Sequence, residues 1–157
     1  MIRKVLIVDD DRAVRDALGQ SLELANLQPI LASSFIEAKD HIAVGFDGVV
    51  VSDIRMPGKD GFALLDHARK TDPELPVILL TGEADVPMAV KGMAGGAFDF
   101  LEKPCKPANL LAIVGKALKT RELVLENRLL KREIRRGDAA SRMLVGTSAL
   151  AEQMREA

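Results

Sequence analysis

Asp53 follows the apolar run Val49-Val50-Val51-Ser52 and precedes Ile54-Arg55-Met56-Pro57-Gly58-Lys59-Asp60-Gly61, a stretch rich in turn formers. Packing gives no reason for a charge there, because ionised groups avoid apolar surroundings unless something compensates them. Asp9 and Asp10 close another apolar run, Val5-Leu6-Ile7-Val8. A hydroxyl, Thr81, ends a third run, and an amine, Lys103, follows a fourth. Carboxylates gathered at one point raise one another's pKa unless a cation neutralises them. Hard oxygen donors with room for several waters suit Mg²⁺. An acid pair, a third acid, a hydroxyl and an amine together describe a site that handles phosphate.

For these residues to meet, the elements carrying them must run side by side. Short apolar runs alternate with longer helical patterns along the chain. The pattern predicts strands at Lys4–Val8, Pro29–Ala32, Gly48–Ser52, Val77–Thr81 and Phe98–Leu101. It predicts helices near Arg12–Ala25, Phe35–Val44, Gly61–Lys70 and Val86–Ala94, and a fifth from Pro107. Val14, Leu18, Leu22 and Ala25 recur at helical spacing and mark one buried face. Three strands are continuous Val/Ile/Leu runs, as expected where helices cover both faces of a sheet. Five β–α repeats imply an α/β fold with a doubly wound parallel sheet and right-handed crossovers. Such sheets bind ligands beyond the carboxyl ends of their strands. Asp9, Asp10, Asp53, Thr81 and Lys103 all sit at or just after such ends.

The bulk composition narrows the class. With 157 residues, 48% hydrophobic and 29% charged, the chain has the makings of one well-buried domain with a remainder. A single cysteine, Cys105, leaves no internal disulfide and fits a reducing compartment. The N-terminal apolar stretch is too short for a signal peptide or a membrane span, so the expectation is a cytoplasmic protein without membrane contact. Residues 1–118 carry a net charge of −4, residues 119–157 one of +3. That basic tail mixes both signs and has no Tyr or Trp for stacking, so it reads as a solvated helix face rather than a nucleic-acid surface.

Taken together, the strand-end residues resemble the receiver domain of two-component response regulators over roughly residues 1–120. The resemblance rests on Val8-Asp9-Asp10, on Asp53 within Asp-x-x-Met-Pro-x-x-Asp-Gly, on Leu80-Thr81-Gly82, and on Gly96-Ala97-Phe98-Asp99-Phe100-Leu101-x-Lys-Pro. It implies a flavodoxin-like, five-stranded sheet of order 2-1-3-4-5. It also implies that Asp53 accepts a phosphoryl group from a phosphohistidine on a sensor histidine kinase. Asp10, Asp53 and the Arg55 backbone carbonyl would hold Mg²⁺, with Asp9 acting through water. Lys103 would contact the phosphoryl group, and Thr81 would donate its hydroxyl to it. Phe100 occupies the switch-aromatic position; lacking a hydroxyl, it would move by packing alone. The cis bond usual before the family's proline is expected at Pro104.

Several residues carry readings of their own. Arg55 and Glu83, two residues beyond Asp53 and Thr81, are placed to pair across the mouth of the site and hinder an attacking water. Asp11 is the expected helix cap. His41 and His67 fall on helices away from the strand ends and look structural. Cys105 is a small apolar filler, and Gly95-Gly96 end a helix.

Beyond Pro107 the helical pattern continues to Arg136, with Gly137-Asp138 as a stop signal. Leu123, Asn127, Leu130 and Ile134 follow the four-three-four spacing of a coiled-coil seam, with Asn127 at a register-setting position. The expected division is a receiver domain over 1–120, a helical dimerisation linker over 121–138, and the start of an ATPase domain over 139–157. Leu123–Arg128 and Met143–Leu150 resemble the linker and ATPase opening of NtrC-type, sigma-54-dependent transcription activators. The resemblance implies a homodimer whose DNA and sigma-54 RNA polymerase contacts lie in missing C-terminal domains. No phosphate-binding Gly-x-x-x-x-Gly-Lys-[Ser/Thr] loop occurs, so the expected activity is limited to the chain's own phosphorylation and dephosphorylation. The sequence breaks off within a helical pattern and reads as truncated. Two competing readings remain: a haloacid-dehalogenase-like phosphatase using Asp9-Asp10-Asp11, which would leave Asp53 idle, and a phosphorylation-independent interaction module.

Overall fold

The computed structural model describes residues 1–82 and 85–148, with side chains through residue 137. The chain order is β1 (Lys4–Val8), α1 (Arg12–Leu24), β2 (Gln28–Ala32), α2 (Phe35–Lys39), β3 (Gly48–Asp53), α3 (Gly61–Thr71), β4 (Val77–Thr81), α4 (Val86–Ala94), β5 (Asp99–Glu102) and α5 (Pro107–Ser148). The five strands form one sheet in the order β2-β1-β3-β4-β5. Every neighbouring pair is parallel. This is the expected doubly wound architecture.

The unbroken apolar strands follow from burial on two faces. Successive strand residues point to opposite sides, so Val5 and Ile7 join one core while Leu6 and Val8 join the other. Leu18 and Leu22 of α1 and Leu110, Val114 and Ala117 of α5 fill the first. Phe35 and Ala38 of α2, Leu64, Leu65 and Ala68 of α3, and Ala89 of α4 fill the second. Asp11 caps α1 as expected, its carboxylate accepting from the Ala13 amide at 2.9 Å. Ala25 does not extend the buried face; it is the exposed C-cap of α1.

Several boundaries differ from the sequence reading, most by a single residue. Helix α2 stops at Lys39 rather than Val44. The chain beyond it tightens into turns, with His41 and Ile42 amides bonding three residues back, and Gly45 takes a φ of 79°. Tertiary bonds fix this path: the Gly45 amide donates to Asp72, and Arg121 donates to the Phe46 carbonyl. Strand β5 lies one residue later than Phe98–Leu101. Helix α5 runs past Gly137-Asp138 to Ser148. One glycine costs a helix only about 1 kcal/mol, too little to stop it between Arg135-Arg136 and Ala139-Ala140.

Two compact units emerge, Met1–Glu122 and a second beginning at Leu123. In the second unit Leu123, Leu130 and Ile134 are 53%, 52% and 63% exposed, and Asn127 is exposed as well. At the sheet edge, the Gln28 amide and the Ala32 carbonyl both turn toward β1 and its flanks. By strand alternation Pro29, between them, faces outward.

Candidate functional site

Parallel pairing brings four strand ends to one edge. Val8 lies beside Ser52, Asp53 beside Leu80, and Thr81 beside Glu102. Asp9, Asp53, Thr81 and Lys103 thus converge from sequence positions far apart. The Lys103 amide donates to the Thr81 carbonyl at 2.7 Å, which fixes where its side chain starts. The Lys103–Pro104 peptide is cis. Lys103 Nζ then reaches Asp9 Oδ2 at 2.8 Å and Asp53 Oδ2 at 3.2 Å. Asp10 stays exposed on the rim. Carboxylate oxygens of Asp9, Asp10 and Asp53 all lie within 4.8 Å of one another.

Three carboxylates against one ammonium leave the cluster short of positive charge. Burial raises the Asp53 pKa above the ordinary carboxylate range, and the Asp9 charge adds to it; Lys103 and the Arg55 backbone N–H pull the other way without prevailing. For Lys103, burial disfavours the ammonium, but the bond to Asp9 and the charges of Asp53 and Asp9 outweigh it and raise its pKa. Asp9 is completely buried and accepts from the Asp11 amide at 2.9 Å through its other oxygen. An all-oxygen donor set with a surplus of negative charge and an open side fits a hard divalent cation.

The remaining predicted residues are placed as follows. Thr81 is fully buried, and its hydroxyl donates to the Gly82 carbonyl at 3.0 Å. Phe100 is half-buried against the core beneath α2, α3 and α4. His67 stacks edge-on with Phe35, 5.6 Å between ring centres, and has a packing role. Cys105 packs among apolar neighbours, and burial pushes its thiol pKa up. An open cleft of about 450 Å³, lined by Asp10, Arg55, Met56 and Met88 among others, gives access to the rim.

Glu83, and with it the expected pairing with Arg55, lies outside the described residues. Arg55 binds Asp85, Nε donating at 2.7 and 2.8 Å and Nη2 at 2.5 Å. That hydrogen bond holds the Asp85 carboxyl below its ordinary range. Sequence reasoning missed Asp85 because it depends on the path of the loop after Thr81. Gly61 opens α3, at the expected start of the helix, and sits close to β3. Its amide donates to the Ile54 carbonyl at 2.9 Å, and a Cβ there would overlap the Asp53 carbonyl oxygen. The close return of this loop onto β3 is what demands glycine.

Residues 5–115 match the response regulator receiver domain, and the chain belongs to that family. Over 153 residues it is 46% identical to the C4-dicarboxylate transport transcriptional regulatory protein DctD of Pseudomonas aeruginosa, covering 98% of this chain and 33% of that protein. It is 40% identical over 112 residues to the DNA-binding transcriptional regulator NtrC of Klebsiella pneumoniae, covering 71% of this chain and 24% of that protein. A solved response regulator receiver domain protein from Clostridium thermocellum aligns with a TM-score of 0.71 at 29% identity, covering 78% of this chain and 99% of its own. The chain thus spans about a third or less of the length of these curated relatives. Among the described residues, no helix is long and apolar enough to cross a membrane.

Proposed function

We propose that the first 120 residues are a phosphoacceptor switch charged by a sensor histidine kinase at Asp53. An Asp53 carboxylate oxygen attacks the phosphorus of a phosphohistidine. The P–O bond forms as the P–N bond breaks, and the departing imidazole keeps the electron pair and takes up a proton. The observation that carries this reading is the convergence of Asp9, Asp53 and Lys103 at the carboxyl edge of the sheet.

Asp10, Asp53 and the Arg55 carbonyl would hold Mg²⁺, with Asp9 behind them. The bound ion would neutralise charge on the equatorial oxygens of the transferred group. Lys103 supplies a fixed positive charge at Asp53 and orients its carboxylate. Thr81 turns its hydroxyl from Gly82 toward the new phosphoryl oxygen, and Phe100 follows into the space it leaves. The chain catalyses its own phosphorylation and the hydrolysis that reverses it.

Residues 121–138 form the dimerisation linker, and 139–157 open the ATPase module of a cytoplasmic sigma-54-dependent activator. The exposed Leu123, Leu130 and Ile134 support a seam that closes against a second copy. Phosphorylation then controls that dimer, and DNA and sigma-54 polymerase are reached through domains beyond this chain. A strong seam favours a dimer that restrains the ATPase domains until Asp53 is modified.

The phosphatase alternative is disfavoured because Asp11 is committed to capping α1 and Asp9 is enclosed by Lys103 and the Asp11 amide. Intact mass after incubation with Mg²⁺ and acetyl phosphate tests the proposal. Wild type should gain one phosphoryl group, and Asp53→Asn should gain none. An unlabelled wild type would favour an interaction module that keeps the fold without the chemistry.

A further inference from the structure

The mouth of the site holds an ion pair that phosphoryl transfer does not by itself require. Arg55 and Asp85 are unequally placed: the arginine side chain is 70% exposed, the aspartate 10%. The carboxylate is therefore the fixed end, and the guanidinium has room to leave. Asp85 also occupies the N-cap of α4, yet its side chain makes no capping bond there. An N-cap aspartate ordinarily accepts from the amide at the second or third helical position. The second is Pro87, which has no N–H, so Met88 is the donor within reach. The Asp85 carboxylate is committed to Arg55 instead, and α4 begins without a side-chain cap.

Phosphorylation at Asp53 would give Arg55 a competing partner. A phosphoryl group brings about two negative charges and three acceptor oxygens, and the guanidinium fork matches that geometry. Arg55 is two residues from Asp53, and the two charges already attract across the mouth. Resting on the phosphoacceptor reading, we propose a partner exchange: the phosphoryl group draws Arg55 off Asp85, and the released carboxylate turns to cap α4 at the Met88 amide. Asp85 is thus a positioning residue. It sets how available Arg55 is to the phosphoryl group, and it carries the state of Asp53 to the start of α4.

Two measurements test the exchange. The first is the rate of phosphorylation by acetyl phosphate with Mg²⁺, followed by intact mass in wild type, Asp85→Asn, Arg55→Gln and the double variant. Freeing Arg55 in Asp85→Asn should speed labelling about two- to five-fold, the range set by an ion pair exposed on one side. The double variant should match Arg55→Gln alone. The second is hydrogen exchange at the Met88 amide before and after phosphorylation. It should slow about five-fold in wild type, the equivalent of one cap bond. Asn can cap and no longer holds Arg55, so Asp85→Asn should show the slowed exchange already before phosphorylation, whereas Asp85→Ala should show it in neither state. Effects of the two single substitutions that simply multiply, or an unchanged Met88 exchange in phosphorylated wild type, would overturn the exchange alone. A wild type that takes no phosphoryl group at Asp53 would bring down the underlying reading with it.

Discussion

At the scale of single residues, Asp53 is held in a state that folding alone would not choose. Its folded pKa is raised, chiefly by burial and then by Asp9. A carboxyl raised in this way favours the folded state at pH values below its unfolded pKa, and that contribution is lost as pH rises through the folded value. At neutral pH the charged Asp53 is therefore a burden on the metal-free fold. Asp53→Asn should raise the thermal midpoint in chelator at pH 7, and the gain should shrink as pH falls into the acid range. Adding Mg²⁺ should reverse the order. At a hundredfold excess over its dissociation constant it stabilises a binding fold by about 2.7 kcal/mol, and the Asn variant should gain less. Differential scanning calorimetry reads both effects. Asp53, Asp9, Thr81 and Lys103 were legible as site candidates because each stands at the end of an apolar run, where neither packing nor turn chemistry explains its type. Asp85 was not, since only the fold brings it to Arg55, thirty residues back in the chain.

At the scale of elements, one buried arginine ties three of them together. Arg121 on α5 is fully buried and donates to the Phe46 carbonyl at 3.0 Å and to Asp72 at 2.8 Å. Asp72 also accepts from the Gly45 amide, while Arg121 Nη1 finds no hydrogen-bond partner among the described residues. Removing one partner of a buried pair leaves the other charge uncompensated and costs about 3 to 5 kcal/mol. Arg121→Met should lower the stability of the first unit by that amount in urea denaturation. It should leave Asp53 labelling intact at temperatures where the domain stays folded. Gly61→Ala should act differently, moving the loop on which Arg55 sits and slowing labelling along with the loss of stability.

The same contacts explain where element boundaries were readable. Strands β1 and β4 and helix α4 declare their ends by apolar runs and Pro/Gly punctuation. The end of α2 is set by Arg121 and Asp72, which lie more than twenty-five residues away and leave no local mark. The stop expected at Gly137-Asp138 failed for the opposite reason: a local signal too weak to outweigh its helical neighbours.

At the scale of the whole molecule, the seam proposed for Leu123, Asn127, Leu130 and Ile134 makes a direct demand on mass in solution. Unmodified protein should sediment as a dimer. Ile134→Lys should shift it to monomer, because a charge at the core of such a seam has no partner there. An unmodified wild-type monomer would remove the restraint model. The two borders of the sheet bear on a different kind of association. A bare strand border is a template on which another chain can add a strand. Here one border carries Pro29, whose missing N–H falls on the outward side. The other is the four-residue β5, which begins and ends in Asp99 and Glu102. Neither invites ribbon growth from molecule to molecule, so both borders of the sheet are guarded against fibril-like addition of another chain.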